Sequence, residues 1–344
     1  MKPSLATQLL VPSFRNRRQV LLSGPPGVGK SDLVDQAAAA AGARCITRHP
    51  AVEDPTDAKG MPAVLPDGKA HFLPFNDLQK LIDADGLTVC HLEDFGQATH
   101  AVQAAYMQLL LRRAVNGYAL SPHVVFVVST NRAEDRAGVN TILEPVKSRF
   151  QTMIELEVNV DDWVTWAYGA DLAPEVIAFI KFRPELLHKP EPSRELTNSP
   201  SPRTVANVAK WVADGLCSAQ ALGSDDGQSV ALEVISGAAG KGFAAEFLGF
   251  LKVYHTLPSI EQILLDPERA PVPNGADGLF AVSVALAKKL ADEKTVRPVF
   301  TYATRLPKEF EVCLVRDGLR VNQKVANTKE YGQWALKNAK VVAG

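Results

Sequence analysis

The sequence lacks the features that would mark a membrane protein, a disulfide-rich protein or a zinc protein. No apolar run approaches the ~18 residues of a membrane span, and the first residues hold no apolar core of signal-peptide length. The cysteines Cys45, Cys90, Cys217 and Cys313 lie far apart, with no C-x-x-C pair and no histidine at ligand spacing. These absences predict a cytoplasmic protein with reduced thiols.

The chain also has little net charge. Its 37 Lys and Arg balance 38 Asp and Glu to give −1, so there is no overall nucleic-acid footprint. The distribution is uneven, because residues 281–344 hold 12 basic against 6 acidic residues. These charges are mixed at helical spacing, which favours a solvated helix face over a nucleic-acid surface.

A glycine-rich stretch, GPPGVGKS, stands between an apolar strand pattern and a helical pattern. It fits G-x-x-x-x-G-K-[ST] at Gly24, Gly29, Lys30 and Ser31. Glycines let backbone N–H groups curl around an anion, the helix start adds its dipole, and Lys30 adds a full charge. The alternative is an ordinary glycine turn. We predict a phosphate cradle for ATP that comprises Gly24, Pro25, Pro26, Gly27, Val28, Gly29, Lys30, Ser31 and Asp32, with Ser31 on Mg²⁺.

Two halves of the chain differ in pattern. Short apolar strands alternate with helices over residues 19–157, which predicts a five-stranded parallel α/β sheet. Within that half, residues 51–74 are rich in proline and turn signals and are predicted as a loop. From Asp161 onward the periodic segments are helical. The predicted domains are an α/β domain at 1–159, a helical lid at 160–256 and a helical segment at 257–344.

Polar residues at the ends of the predicted strands complete a candidate site. Glu93 and Asp94 end the third strand, where open α/β sheets place ligand groups. One acid can hold Mg²⁺ and the other can polarise a water as general base. Asn131 ends the fourth strand and can orient that water, and Arg149 precedes the fifth strand. Taken singly, these residues also fit a helix start, a turn and a surface salt bridge.

Taken together, the motifs resemble those of the AAA+ ATPases over roughly residues 5–215. GPPGVGKS resembles Walker A, VCHLED Walker B and VVSTN sensor 1. The arginine of KSRF resembles the arginine finger, and SPRT resembles sensor 2. Within the superfamily, AVEDPTDAKGM, the VNGYALSP hairpin and SPRT are most similar to the MoxR branch, which includes CbbQ, NorQ and prophage relatives.

The resemblance implies a ring, usually a hexamer, with ATP between subunits. Lys30, Ser31, Glu93, Asp94 and Asn131 would come from one subunit and Arg149 from its neighbour. Arg203 of SPRT would reach the γ-phosphate from the lid. The loop at Lys59, Gly60 and Met61 lies where such rings present a pore loop to a client; a solvent loop is the alternative.

The function predicted from these residues and this resemblance is ATP hydrolysis that remodels or activates a partner protein. A von Willebrand factor A-type protein is the partner that the MoxR resemblance suggests. Two alternatives stay open: a nucleic-acid motor or clamp-loader-like ATPase that uses the basic C-terminal segment, and a nucleotide switch that hydrolyses slowly.

The Walker B order departs from the family. AAA+ proteins usually end this motif Asp-Glu, whereas this chain has Glu93 followed by Asp94. If the two acids keep the positions of the family motif, Glu93 lies near Mg²⁺ and Asp94 lies near the attacking water as the base. The base would then lack one methylene, which predicts slow basal hydrolysis.

Overall fold

The computed structural model describes residues 1–135, 138, 140, 142–191 and 197–339. These form two compact units, Met1–Asn159 and Val160–Gly344. A further division at residue 256 stays a prediction. The last residues of the predicted C-terminal segment, 340–344, lie outside the described residues, as does Thr141 before the KSRF motif.

The first unit combines strands and helices. Its strands are β1 Val20–Ser23, β2 Arg44–Arg48, β3 Met61–Val64, β4 Ala70–Leu73, β5 Thr88–Leu92, β6 Ala114–Val115, β7 Tyr118–Ala119, β8 Val124–Thr130 and β9 Thr152–Glu155. Its helices are α1 Pro3–Arg15, α2 Lys30–Ala41, α3 Asn76–Ile82, α4 His100–Arg112 and α5 Glu144–Lys147.

Five strands form one parallel sheet in the order β2-β5-β8-β1-β9. The chain leaves the carboxyl end of β1 towards β2 on one side, and leaves β8 towards β9 on the other. Neighbouring strands whose connections diverge in this way open a crevice at their carboxyl ends. The order therefore places the loops after β1 and β8 next to each other.

Both faces of this sheet are covered, which explains why β8 is apolar along most of its length. Val125 and Val127 belong to the core that contains α1 and α2 residues, including Phe14 and Val34. Val124, Phe126 and Val128 point to the opposite face and join a core with residues of α3 and α4. A parallel strand buried on both faces has no polar face to show in its sequence.

Residues 51–74 contain more structure than the predicted loop. β3 and β4 pair antiparallel from Met61 with Leu73 to Val64 with Ala70. Their side chains are largely exposed, so the segment carries no alternating pattern of burial in its sequence. A second hairpin, β6 with β7, forms where the N-G turn signal predicts one.

The second unit is helical over its described residues. Its helices are α6 Val160–Gly169, α7 Pro174–Phe182, α8 Pro202–Ala213, α9 Asp225–Ala239, α10 Lys241–Tyr254, α11 Ile260–Leu265, α12 Ala276–Lys289, α13 Val296–Ala303, α14 Lys308–Val321 and α15 Lys329–Lys337. The predicted fold class, a five-stranded parallel α/β core followed by helices, is confirmed.

A buried carboxylate ties three helices of the second unit together. Asp317 of α14 is 1% exposed and forms an ion pair with Lys181 of α7. Its Oδ2 also accepts a hydrogen bond from Tyr168 OH at 2.9 Å, and Oδ1 accepts from Arg320 Nη1 at 3.0 Å. Two cations and a hydroxyl thus satisfy one buried charge.

Within the described residues, no helix is both long enough and apolar enough to cross a lipid bilayer.

Candidate functional site

The glycine-rich stretch forms the turn between β1 and α2. Gly27 and Gly29 have φ of +74° and +95°, a region that residues with a Cβ rarely adopt. At Gly24 a Cβ would come within 3.1 Å of Leu156 Cβ, which is tighter than ordinary packing. The loop therefore needs glycine for its conformation at two positions and for space at a third.

Lys30 begins α2 and is folded back against the loop. Its side chain is 8% exposed, and Nζ donates to the carbonyl oxygens of Gly24 at 2.9 Å and Pro25 at 3.1 Å. Nζ also donates to Asn131 Oδ1 at 2.7 Å. These three oxygens hold the ammonium at the loop, where it can reach an anion placed there.

Asn131 connects two of the predicted site residues. It follows β8 directly, and its Nδ2 lies 3.4 Å from Asp94 Oδ1 while its Oδ1 accepts from Lys30. Asp94 itself has φ +51°, in the left-handed region that aspartate adopts more readily than most residues. The amide thus bridges the loop after β1 and the turn after β5.

Ser31 and Glu93 form a second contact at the same edge of the sheet. Ser31 Oγ donates to Glu93 Oε1. The other carboxylate oxygen of Glu93 lies 3.6 Å from His49 Nδ1. A hydroxyl and a carboxylate beside a phosphate cradle are hard oxygen donors of the kind that Mg²⁺ takes together with nucleotide phosphates. These residues therefore fit a magnesium nucleotide.

The remaining residues of the predicted cradle differ in exposure. Pro25 and Val28 are buried, Gly27 is half-buried, and Pro26 and Asp32 are exposed. Val28 N–H donates to Pro25 O at 3.3 Å, which closes the turn. The first turn of a helix presents N–H groups that its own carbonyls do not bind, and an anion can satisfy them.

The two predicted arginines lie on elements other than those that carry Lys30, Ser31, Glu93, Asp94 and Asn131. Arg149 follows α5, is half-buried, and donates from Nη1 to Ser148 Oγ at 3.2 Å. Arg203 lies in the first turn of α8 in the second unit and is exposed. Their predicted roles on ATP stay predictions.

Two residues near the cluster were missed by sequence reasoning. Besides His49, Arg132 follows Asn131 and pairs with Asp135 Oδ1 at 2.8 Å and Glu155 Oε1 at 3.2 Å. The hydrogen bond from Arg132 holds the pKa of Asp135 below its usual value. The spacing of Arg132 and Asp135 could have indicated the first ion pair from the sequence. The pair with Glu155 could not be predicted in this way, because it depends on the order of the strands.

His91 is a buried histidine of the sheet. It lies in β5, and its Nε2 is 2.8 Å from Ser129 Oγ of the neighbouring β8. Burial lowers the pKa of His91 to about 4. The ring is therefore neutral at pH 7 and serves as a core hydrogen-bonding group.

The loop at Lys59, Gly60 and Met61 leads into β3. Lys59 O accepts a hydrogen bond from Asn116 Nδ2 of the second hairpin at 2.8 Å. Gly60 has φ +93° and packs against the backbone of Leu73, so a Cβ has no room there. Met61 is 60% exposed. The hydrogen bond from Asn116 joins the two hairpins at this loop, and the Met61 side chain is open to solvent.

A buried ion pair anchors the start of this segment. Arg48 ends β2, is 6% exposed, and donates from Nε to Glu53 Oε1 at 3.1 Å. Tyr106 of α4 donates its hydroxyl to the other oxygen of Glu53, and the Arg48 guanidinium lies 5.4 Å from the Tyr106 ring centre. This network fixes residues 48–57 to the core of the first unit.

The fold and the cluster define a class of domain: a parallel α/β sheet with a glycine-rich turn between β1 and α2, to which the chain adds acids and an amide at the same edge. No family model matches the chain, and no curated protein sequence matches it. Among solved structures, the Thermotoga maritima RuvB Holliday junction branch migration motor is 17% identical, with 83% of this chain and 80% of that chain covered and a TM-score of 0.42. NtrX from Brucella abortus in complex with ATP is 13% identical, with 100% of this chain and 65% of that chain covered and a TM-score of 0.40. At TM-scores below 0.5, these likenesses carry no argument.

Proposed function

We propose that this chain is an AAA+ ATPase of the MoxR type that hydrolyses ATP to remodel or activate a partner protein. The observation that carries the proposal is the cluster of Lys30, Ser31, Glu93, Asp94 and Asn131 at the carboxyl edge of β1, β5 and β8. A lysine, a hydroxyl, two acids and an amide are the groups that phosphoryl transfer needs.

Each residue has a role in this proposal. Lys30 and the loop amides bind the β- and γ-phosphates, while Ser31 and Glu93 would hold Mg²⁺. Asp94 accepts a proton from the attacking water, and Asn131 orients that water. Bound Mg²⁺ supplies charge neutralisation across the phosphate oxygens. The contacts of Asn131 support these roles. Its amide binds both Lys30, the proposed phosphate ligand, and Asp94, the proposed general base.

The proposal includes assembly. Arg149 would approach the ATP of a neighbouring subunit, Arg203 would approach from the lid, and the ring would be a hexamer in the cytoplasm. An arginine supplied in trans is worth about 10³ to 10⁵ in rate, so hydrolysis would depend on assembly. The exposed side of Arg149 is consistent with a partner outside its own subunit.

A protein client is the proposed substrate of the motor. Met61 and Val64 of β3 are 60% and 75% exposed, on a hairpin whose start is held by the hydrogen bond from Asn116 Nδ2 to Lys59 O at 2.8 Å. Exposed apolar side chains on an anchored element favour contact with another protein. A von Willebrand factor A-type protein remains the candidate that the MoxR resemblance suggests.

A nucleic-acid motor is the second candidate, supported by the basic residues of the C-terminal segment. Several of these cations are already paired: Lys288 with Asp171, Lys289 with Glu261, Lys308 with Glu311 and Arg320 with Asp317. Paired cations release fewer counterions on nucleic-acid binding, which weakens this candidate. Stimulation of ATPase activity by DNA or RNA that falls steeply with added salt would favour it.

The test of the proposed function is Lys30→Ala against Lys80→Ala, a surface lysine paired with Asp77 at 2.9 Å. Loss of charge-assisted bonds worth about 1.5 to 3 kcal/mol should weaken ATP binding roughly 10- to 100-fold in Lys30→Ala. Lys80→Ala should bind ATP normally. Near-normal ATP turnover by Lys30→Ala would remove the assignment. Asp94→Asn, loaded with ATP, then serves as bait for the client.

A further inference from the structure

Gln103 is a buried amide in an otherwise apolar part of α4. It is 0% exposed and belongs to the helix face that packs Val102 and Tyr106 into the core. Its Nε2 donates to Ala98 O at 3.1 Å, and its Oε1 accepts from Leu143 N at 3.1 Å. The side chain therefore connects two backbone segments that are far apart in sequence.

The first of these segments comes directly after Asp94. Residues 95–97 form a short turn, in which Gln97 N–H donates to Asp94 O at 2.8 Å and Ala98 N–H to Phe95 O at 3.1 Å. The position of Ala98 O is thus tied by backbone hydrogen bonds to the acid that faces Asn131.

The second segment leads directly into the arginine. Leu143 O accepts from Val146 N at 2.8 Å and from Lys147 N at 3.1 Å, which starts α5. Arg149 N–H then donates to Val146 O at 3.0 Å, so the backbone of Arg149 continues this turn. The hydrogen bond from Leu143 N to Gln103 therefore holds the turn that carries Arg149.

Asn140, three residues before Leu143, also binds the turn after Asp94. Its backbone N–H donates to Gly96 O at 2.6 Å, and its Nδ2 donates to Ala98 O at 3.1 Å. Two amide side chains thus donate to Ala98 O, and one of them, Gln103, also binds Leu143 N before α5. An apolar side chain at position 103 would fill the same space without holding either backbone group, which gives the buried amide a purpose beyond packing.

We propose that Gln103 and Asn140 are positioning residues that link the acid of one nucleotide site to the arginine that this subunit supplies to the next. The inference rests on the proposed ATPase ring. A change at Asp94 moves the turn at residues 95–98, and the two amides carry this movement to α5 and Arg149. The two amides thus set how well the neighbouring site is completed.

The test uses Gln103→Met, which keeps the length and volume of the side chain but loses both hydrogen bonds. Displacement of a reacting group on the ångström scale can lower turnover up to about 10²-fold, and ATP affinity should stay unchanged because Lys30 and Ser31 are intact. Gln19→Met is the matched control. Gln19 is also buried and donates from Nε2 to Leu110 O at 3.2 Å, at the amino end of β1.

Mixed rings decide which site the substitution affects. Lys30→Ala subunits bring an intact Gln103 and Arg149 but no working cradle, so they should restore turnover at the ATP sites of Gln103→Met subunits. Rescue comparable to that of Arg149→Ala with Lys30→Ala supports the inference. The double variant Gln103→Met/Arg149→Ala should also turn over no more slowly than Arg149→Ala alone.

Two results would overturn the inference while leaving the proposed function intact. One is normal turnover by Gln103→Met, and the other is lowered turnover that Lys30→Ala subunits do not rescue although they rescue Arg149→Ala. If Gln103→Met does not fold, Asn140→Ala removes the exposed half of the link and undergoes the same mixing test. Absence of ATP hydrolysis in the wild-type protein would instead count against the proposed function itself.

Discussion

The Asn131 amide and the Asp94 carboxylate lie within hydrogen-bond distance, with 3.4 Å between Nδ2 and Oδ1. The adjacent acid, Glu93, instead contacts Ser31 at the start of α2. Two consecutive carboxylates at the end of β5 therefore have different partners. Asp94 contacts Asn131, whose amide can orient a water molecule. Glu93 contacts Ser31, whose hydroxyl can bind a metal ion.

Arg149→Ala should retain ATP binding but lose most turnover, because the charge that it supplies belongs to the transition state of a neighbouring site. The expected loss is about 10³-fold. Mixing Arg149→Ala with Lys30→Ala should restore part of the activity, since some interfaces then combine an intact cradle with an intact arginine. Steady-state ATPase assays across mixing ratios measure this. An absence of recovery in rings shown to contain both variants would exclude an arginine acting in trans.

Asp317→Ala should destabilise the helical unit strongly. The substitution leaves Lys181 and Arg320 without their shared buried partner, and breaking a buried pair costs about 3 to 5 kcal/mol. Urea unfolding followed by circular dichroism gives the free energy of unfolding. Glu309→Ala on the same helix is the control, because Glu309 is exposed and should change stability by less than about 0.5 kcal/mol. Equal stability of the two variants would show that the Asp317 network contributes little.

His91 should make the first unit less stable in mild acid. Its pKa is lowered by burial to about 4 from the ordinary 6.5, so the unfolded chain takes up a proton at a pH where the folded chain does not. Stability should then fall as the pH drops from about 6.5 towards 4, by about 2 kcal/mol between pH 7 and pH 5. His91→Gln should reduce this pH dependence in urea unfolding, whereas His71→Gln at an exposed histidine should not. The same pH dependence in all three proteins would refute the assignment.

The glycine-rich turn after β1, the buried strand β8 and the second-half helices were predictable because each has a local signal. Glycine spacing, a continuous apolar run and helical periodicity all lie within a few residues of the feature that they indicate. The hairpin β3–β4 was missed because its strands are short and exposed, so no face is selected for apolar residues. The link through Gln103 was equally hidden, since its partners are backbone groups 5 and 40 residues away. Such partners are set by how the sheet and its helices pack.

The last prediction concerns the inverted order of Glu93 and Asp94. Aspartate is one methylene shorter than glutamate, so a base at Asp94 falls about 1.5 Å short of the usual reach, and misplacement on that scale can cost about 10²-fold in rate. Basal hydrolysis should be slow and should rise when ring closure or a client tightens the site. This expectation also separates a client-driven motor from a slow switch, whose rate would not respond to a client.

The two acids should therefore give different variants. Asp94→Asn should keep Mg·ATP bound and the ring assembled while turnover falls by about 10² to 10⁴, as expected for loss of a general base. Glu93→Gln should mainly weaken the Mg²⁺ dependence and nucleotide affinity, because Glu93 faces Ser31 rather than Asn131. Titration of Mg²⁺ at fixed ATP, with turnover measured for both variants, separates the two effects. If Glu93→Gln traps ATP and Asp94→Asn loses the metal response, the roles of the two carboxylates are exchanged.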